Sequence, residues 1–286
     1  MRSFREVLAK EKPLIMPGVY DALSARLARQ AGFEAMFISG YSVAATQLGV
    51  PDIGLLTQTE MLDAARRVCR TVDCPVIVDA DTGYGGVSNI FRTIKELEAA
   101  GAGGCFLEDQ VWPKKCGHMQ GKKVVSLGEH VMRIRAACDA RKSRDFFIVA
   151  RTDARAAENS LEEAIKRAEA CKKAGADALF IEAPQSIDEL KEIAGRLEPP
   201  FVANMLEGGV TPLLDRRELA ELGFTIAVFP LTGLYASAKS LTDVYGHLRE
   251  KGETRDIVDK LLTFHDFHGI VGLDSHYALD KKYRVE

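Results

Sequence analysis

Two groups of residues in this 286-residue chain have types and spacings suited to chemistry. The first is a set of carboxylates, each following a short apolar run: Asp79 and Asp81 in Asp79-Ala80-Asp81-Thr82-Gly83, Glu108 before Asp109, Asp153 after Arg151-Thr152, and Glu182. Gathered at one place, these carboxylates repel one another and require positive charge. Oxygen-only donors favour a hard divalent cation, Mg²⁺ with Mn²⁺ as a substitute. The second is the stretch 110–123, which holds four lysines together with Cys116, Gly117 and His118. Lysines and an imidazolium are expected to draw a thiol's pKa down from about 8.5 towards neutrality, making Cys116 a usable acid or base. Glycine lets backbone approach a bound carboxylate. Cys116 and His118 could also bind zinc, but their spacing is not that of a zinc hairpin and no second Cys/His pair lies nearby.

These residues need a scaffold, and the pattern supplies one. Short apolar runs at 14–16, 35–38, 76–79, 104–107, 147–150, 178–181, 201–203 and 226–229 read as strands buried on both faces. Helical periodicity fills the gaps at 60–69, 90–99, 128–140, 161–173, 187–196 and 218–222. Glycines at 32, 101, 175 and 223 end helices just before strands. Ser160 with Glu163 reads as a capping box. Eight strands alternating with helices predict a (β/α)₈ barrel rather than an open sheet, since no glycine-rich phosphate loop opens the first helix. In such a barrel the active site lies at the C-terminal ends of the strands. Ser39-Gly40-Tyr41 and Asn204 join the carboxylates there, and 110–123 reads as a lid. The whole chain, 1–286, is expected to be one domain with a helical extension from about residue 252.

Composition narrows the partners. Thirty-eight Lys and Arg against 41 Asp and Glu leave a net charge of −3, without the basic excess that nucleic acid or an anionic membrane rewards. That leaves a small molecule as the expected partner. The six cysteines form no CxxC pair, so they read as reduced thiols. No signal-peptide pattern or membrane-length apolar run is present, and a cytoplasmic location is expected.

The chain resembles the isocitrate lyase / phosphoenolpyruvate mutase superfamily over nearly its whole length. The resemblance rests on Ser39-Gly40-Tyr41, Gly49-Val50-Pro51-Asp52, Asp79-Ala80-Asp81-Thr82-Gly83-Tyr84-Gly85, Glu108-Asp109-Gln110, Lys114-Lys115-Cys116-Gly117-His118 and Ala150-Arg151-Thr152-Asp153. The Lys-Lys-Cys-Gly-His element marks the lyase branch, which includes 2,3-dimethylmalate lyases, petal-death-type lyases and 2-methylisocitrate lyases. The resemblance implies a barrel whose eighth helix is exchanged between subunits of a homotetramer. It implies Mg²⁺ near Asp79, with Asp52, Asp81 and Glu108 acting through water. Ser39, Gly40, Arg151, Glu182 and Asn204 would hold substrate carboxylates, with Gly117 and His118 contributing from the lid.

The chain has no room for the insertions of larger isocitrate lyases, which argues against isocitrate. Where methylisocitrate lyases usually carry Thr-Glu-Phe-Gly, it reads Leu206-Glu207-Gly208-Gly209, closer to the dimethylmalate and petal-death types. The implied reaction is Mg²⁺-dependent C–C cleavage of a 2-hydroxy di- or tricarboxylate to a 2-oxo acid and a second carboxylate. Tyr41 would act as base and Cys116 as the acid that protonates the carbanion, tuned by His118 and Glu182. Oxaloacetate hydrolysis or decarboxylation at the same site is the alternative, and an inactive binding barrel a more remote one.

Overall fold

The structure is a computed structural model and describes residues 2–284. Its strands are β1 (Leu14–Val19), β2 (Met36–Ile38), β3 (Val76–Asp79), β4 (Gly104–Glu108), β5 (Phe147–Thr152), β6 (Ala178–Ile181), β7 (Phe201–Asn204) and β8 (Ile226–Phe229). Each pairs in parallel with the next, and β8 closes on β1, completing the (β/α)₈ barrel. β4 and β5 run past their apolar stretches into Glu108, Arg151 and Thr152, because their ladder continues to the Glu108↔Arg151 pair.

Side chains alternate across a strand, so every second residue enters the barrel. Leu14, Met16, Phe37, Ile77, Phe106, Val149, Phe180, Val202 and Val228 share one interior cluster. The Phe106 ring packs on Phe37 at 4.7 Å and on Phe180 at 5.5 Å.

The helices match the expected periods: those expected at 161–173 and 187–196 keep their bounds, and the other four start one to three residues earlier, as in Gln58–Cys69 behind the Thr57 capping box. The Ser160 cap forms, accepting from the Glu163 N–H at 3.1 Å. The Glu163 carboxylate does not complete a box, because Arg167 one turn later offers a charged partner at 3.0 Å.

The N-terminal segment departs from the sequence reading. Residues before Pro13 read as charged and polar, yet Phe4–Lys10 is a helix behind a Ser3–Glu6 capping box. Phe4, Val7 and Leu8 share one face at helical spacing and join the interior cluster. They close the N-terminal end of the barrel, with the Phe4 ring 4.8 Å from that of Phe147.

The chain divides into two compact units, Met1–Gly233 and Leu234–Glu286. Helix Thr232–Lys251, most of which belongs to the second unit, buries none of its residues. The second unit also holds a 3₁₀ turn, Arg255–Lys260, and helices Phe264–Val271 and Leu273–Tyr283. Among its described residues only Ile257 is buried. No helix among the described residues is long and apolar enough to cross a membrane.

If Phe4 is a barrel plug rather than a surface residue, Phe4→Ala should destabilise the fold by about 3–5 kcal/mol. Urea unfolding checks this; a change within about 0.5 kcal/mol, typical of surface positions, would refute the plug.

Candidate active site

The interior alternation builds the site. Two residues beyond each inward apolar side chain comes a polar one: Phe37 leads to Ser39, Ile77 to Asp79, Phe106 to Glu108, Val149 to Arg151, Phe180 to Glu182 and Val202 to Asn204. Six strand ends thus present polar groups to the C-terminal mouth, on a floor of phenylalanine and valine. One cavity there is lined by Ser39, Tyr41, Asp52, Asp79, Cys116, Gly117, His118, Arg151, Glu182 and Asn204. Its remaining wall includes apolar Leu206, Val228, Pro230 and Leu231. Gly40 stands beside it, its N–H directed to Asp79 Oδ2 at 3.4 Å. Asp81 and Glu108 are buried next to the cavity rather than lining it.

Arg151 gathers most of the negative charge. Its guanidinium lies 3.3 Å from Glu108, 2.9 Å from Asp153 and 3.1 Å from Glu182, over the Phe180 ring. Glu182 is fully buried, which alone would raise its pKa, yet Arg151 and His118 bring it down to about 2. It is therefore a fixed anion at neutral pH.

The Asp79–Asp81 side of the mouth is less well compensated. Asp79 Oδ1 accepts from the Asp81 N–H at 3.1 Å. Lys114, from the lid, places its ammonium 2.5 Å from Asp52 and 2.6 Å from Asp81. Even so, burial, with Asp79 and Asp52 nearby, lifts the Asp81 pKa to about 7. Burial also pushes Glu108 well above the usual carboxylate range, with Arg151 opposing. Asp81 Oδ2 and Glu108 Oε1 are buried and have no hydrogen-bond partner. Unpartnered buried carboxylate oxygens are costly, and an all-oxygen donor set of this kind suits a hard divalent cation.

The lid is seated on this mouth. Its stem is an antiparallel bridge, Gln110↔Val124, with the Val111 N–H bound to the Lys123 carbonyl at 2.8 Å. Its tip is held by the Cys116 N–H on the Asp52 carbonyl at 3.0 Å. His118 Nε2 meets Glu182 Oε1 at 3.2 Å, and the Val210 N–H donates to Nδ1 at 3.0 Å. With Nδ1 accepting, the ring proton sits on Nε2 and is directed at Glu182. Asn204 Nδ2 also donates to Glu182, at 3.1 Å, while its Oδ1 is left without a partner at the cavity.

The lid thiol behaves opposite to expectation. Burial pushes Cys116 up to about 11, with Asp52 and Glu182 adding to it and the His118 backbone N–H opposing. The lysines do not lower it because they are engaged elsewhere: Lys114 on Asp52 and Asp81, Lys122 on Asp153, and Lys115 on the Gln120 carbonyl. At neutral pH Cys116 is a protonated thiol, able to give a proton but poorly suited to take one.

The family model for phosphoenolpyruvate phosphomutase matches residues 4–246. The chain belongs to this family. It is 53% identical over 283 residues to the chloroplastic carboxyvinyl-carboxyphosphonate phosphorylmutase of Arabidopsis thaliana, covering 98% of this chain and 84% of that protein. It is 42% identical over 279 residues to 2,3-dimethylmalate lyase of Eubacterium barkeri, covering 98% and 96%. Among solved structures, oxaloacetate acetylhydrolase in complex with 3,3-difluorooxalacetate superposes with a TM-score of 0.92 at 33% identity, covering 98% and 95%. The phosphoenolpyruvate phosphomutase family thus includes relatives of this chain named as lyases and as mutases, and the chain is an enzyme.

Within this family member, one group singled out only as part of a motif has a structural role. Asp109 is fully buried and faces outward from the barrel mouth. It accepts from Thr152 Oγ1 at 2.6 Å, from the Asp153 N–H at 2.9 Å and from Arg167 at 3.0 Å. Arg167 also binds the Val125 carbonyl at the lid stem. Lys114 stood in the lid motif and Lys122 only among the lid lysines, and nothing in the sequence assigned their carboxylate partners.

Gly117 is where the lid meets the mouth most closely. A Cβ there would lie 2.5 Å from Glu182 Cδ and 2.6 Å from Arg151 Nη2. Gly117→Ala should therefore fold normally but close poorly, cutting turnover by about 10²-fold, the scale of a small misplacement of reacting groups. Wild-type turnover with an unchanged melting temperature would show that the lid need not close this far.

Proposed function

We propose that this enzyme is a Mg²⁺-dependent carbon–carbon lyase, cleaving a small 2-hydroxy dicarboxylate or tricarboxylate of the 2-alkylmalate, 2,3-dimethylmalate or 2-methylisocitrate type. The observation that carries this reading is the protonated Cys116 thiol, held by the lid in the same cavity as Arg151, Glu182, His118 and Asn204. A thiol in that state is an acid placed to quench a carbanion. The likeness to 2,3-dimethylmalate lyase supports the same class. So does the apolar wall of Leu206, Val228, Pro230 and Leu231, which accommodates an alkyl group better than a further carboxylate.

In this reading Asp79 holds the cation, with Asp52, Asp81 and Glu108 around it; Mg²⁺ bound there supplies Lewis-acid charge to the 2-hydroxy acid end. Ser39, Gly40, Arg151, Glu182 and Asn204 orient the substrate carboxylates. Tyr41, on the cavity wall, takes the hydroxyl proton in its phenolate form. The C–C bond breaks to leave a 2-oxo acid and an enolate-like dianion, whose charge Arg151, the Asn204 amide and lid N–H groups stabilise. Cys116 then gives its proton to the carbanion carbon, and the seated lid keeps water away. The exposed Tyr245, Leu262 and Phe264 of the second unit are in keeping with assembly into a homotetramer.

The likeness to oxaloacetate acetylhydrolase favours a second reading, oxaloacetate hydrolysis or decarboxylation, in which the thiol is dispensable. Cys116→Ser separates the two. The lyase reading expects a loss of about 10²–10⁴-fold in 2-alkylmalate cleavage, the usual size of lost acid–base catalysis. Cleavage at the wild-type rate would overturn it, and oxaloacetate turnover surviving alone would favour the hydrolase.

The cation has its own test. EDTA should abolish turnover, with Mg²⁺ or Mn²⁺ restoring it. Because Asp81 titrates near 7, it is protonated below that pH and a proton competes with the cation. Binding should tighten as pH rises through about 7 and release protons at pH 6.5, seen by titration calorimetry in buffers of different ionisation enthalpy. Binding without proton release, or full activity after metal stripping, would refute this arrangement.

A further inference from the structure

Lys122 is an unusual lysine. Its side chain is 1% exposed, and lysine is almost never buried so deeply unless paired. Its ammonium donates to two groups: Asp153 Oδ1, at 2.7 Å, and the backbone carbonyl of Gly117 at the lid tip. Asp153 does not need this partner. Arg151 already engages both its oxygens, at 2.9 and 3.1 Å, and its N–H rests on Asp109. The distinctive contact is therefore the one to Gly117.

That contact reaches the thiol. In a trans peptide the C=O and the following N–H point in opposite directions. With the Gly117 oxygen drawn to Lys122, the His118 N–H of the same peptide is turned the other way, where it faces Cys116 Sγ. The same setting seats Gly117 against Glu182 and Arg151, too close for any Cβ. Lys115 lacks these features: it is only half-buried, and its ammonium reaches the Gln120 carbonyl, at 3.3 Å.

We propose that Lys122 is a positioning residue for Cys116, clamping the Gly117–His118 peptide to Asp153 so that the lid tip stays seated and the thiol stays buried over the cavity. For catalysis the inference rests on the lyase reading above; for lid geometry it does not.

The test uses iodoacetamide on the full-length, substrate-free enzyme, with labelling at each cysteine followed by peptide mass spectrometry. Lys122→Met keeps the chain's bulk and removes the donor. It should label at Cys116 about tenfold faster or more, the factor that losing one hydrogen bond from a charged group imposes on a seated–unseated equilibrium. Lys122→Arg, which keeps charge and donors, should lie nearer the wild type. Cys105 and Cys171, fully buried in the barrel, should not change. If Lys122→Met fails to fold, Lys122→Gln must show the same acceleration. In turnover of 2,3-dimethylmalate, kcat should fall about tenfold or more while KM stays within about twofold, because the substrate-holding groups sit on the barrel. Cys116 labelling at the wild-type rate overturns the proposal, as does acceleration shared equally by Cys105 and Cys171. If the wild-type enzyme cleaves no 2-alkylmalate, the lyase reading fails while the labelling result still decides the role of Lys122.

Discussion

The guanidinium of Arg151 is the charge around which the barrel mouth is organised. It answers Glu108, Asp153 and Glu182, all within 3.3 Å, and lies over the Phe180 ring that forms the floor. Its planar fork reaches groups from three strand ends at once, which a lysine's point charge cannot do. Glu182 stays ionised because of it, and so remains an acceptor for His118 and Asn204. His118 in turn is fixed by the Val210 N–H from the loop after β7. The position of the lid thus traces back to one cation on β5.

Much of this was legible in the sequence. Apolar runs and post-helical glycines located the strands, and the polar residue after each run marked the mouth. What the runs concealed was direction. A strand buried on both faces shows no alternation of hydrophobicity, so nothing distinguished inward Glu108 from outward Asp109. Only the barrel sorts them, by continuing the alternation from Phe106 through Glu108. Phe4, Val7 and Leu8 were legible by their helical spacing, but their charged neighbours masked them.

The Cys116 thiol shows a different limit. Four lysines near a thiol in sequence suggest a lowered pKa, but charge acts through distance and partner, not through sequence separation. Each lysine with a buried ammonium already has a carboxylate, and the thiol is left to the effect of its own burial. The same lysines that fail to acidify it close the loop over it.

Asp109 and Glu108 are chain neighbours facing opposite ways, and this separates two tasks. Asp109 ties β4 to Thr152 and Asp153 at the end of β5, to helix Leu161–Lys173 through Arg167, and, by its own carbonyl and Arg167, to Val125 at the lid stem. None of these ties passes through the side chains that line the cavity. The inner set can change residue by residue while the outer brace keeps the strand ends and the loop anchored. A scaffold wired in this way gives mutation a protected workspace: the chemistry inside can drift without loosening the frame that carries it.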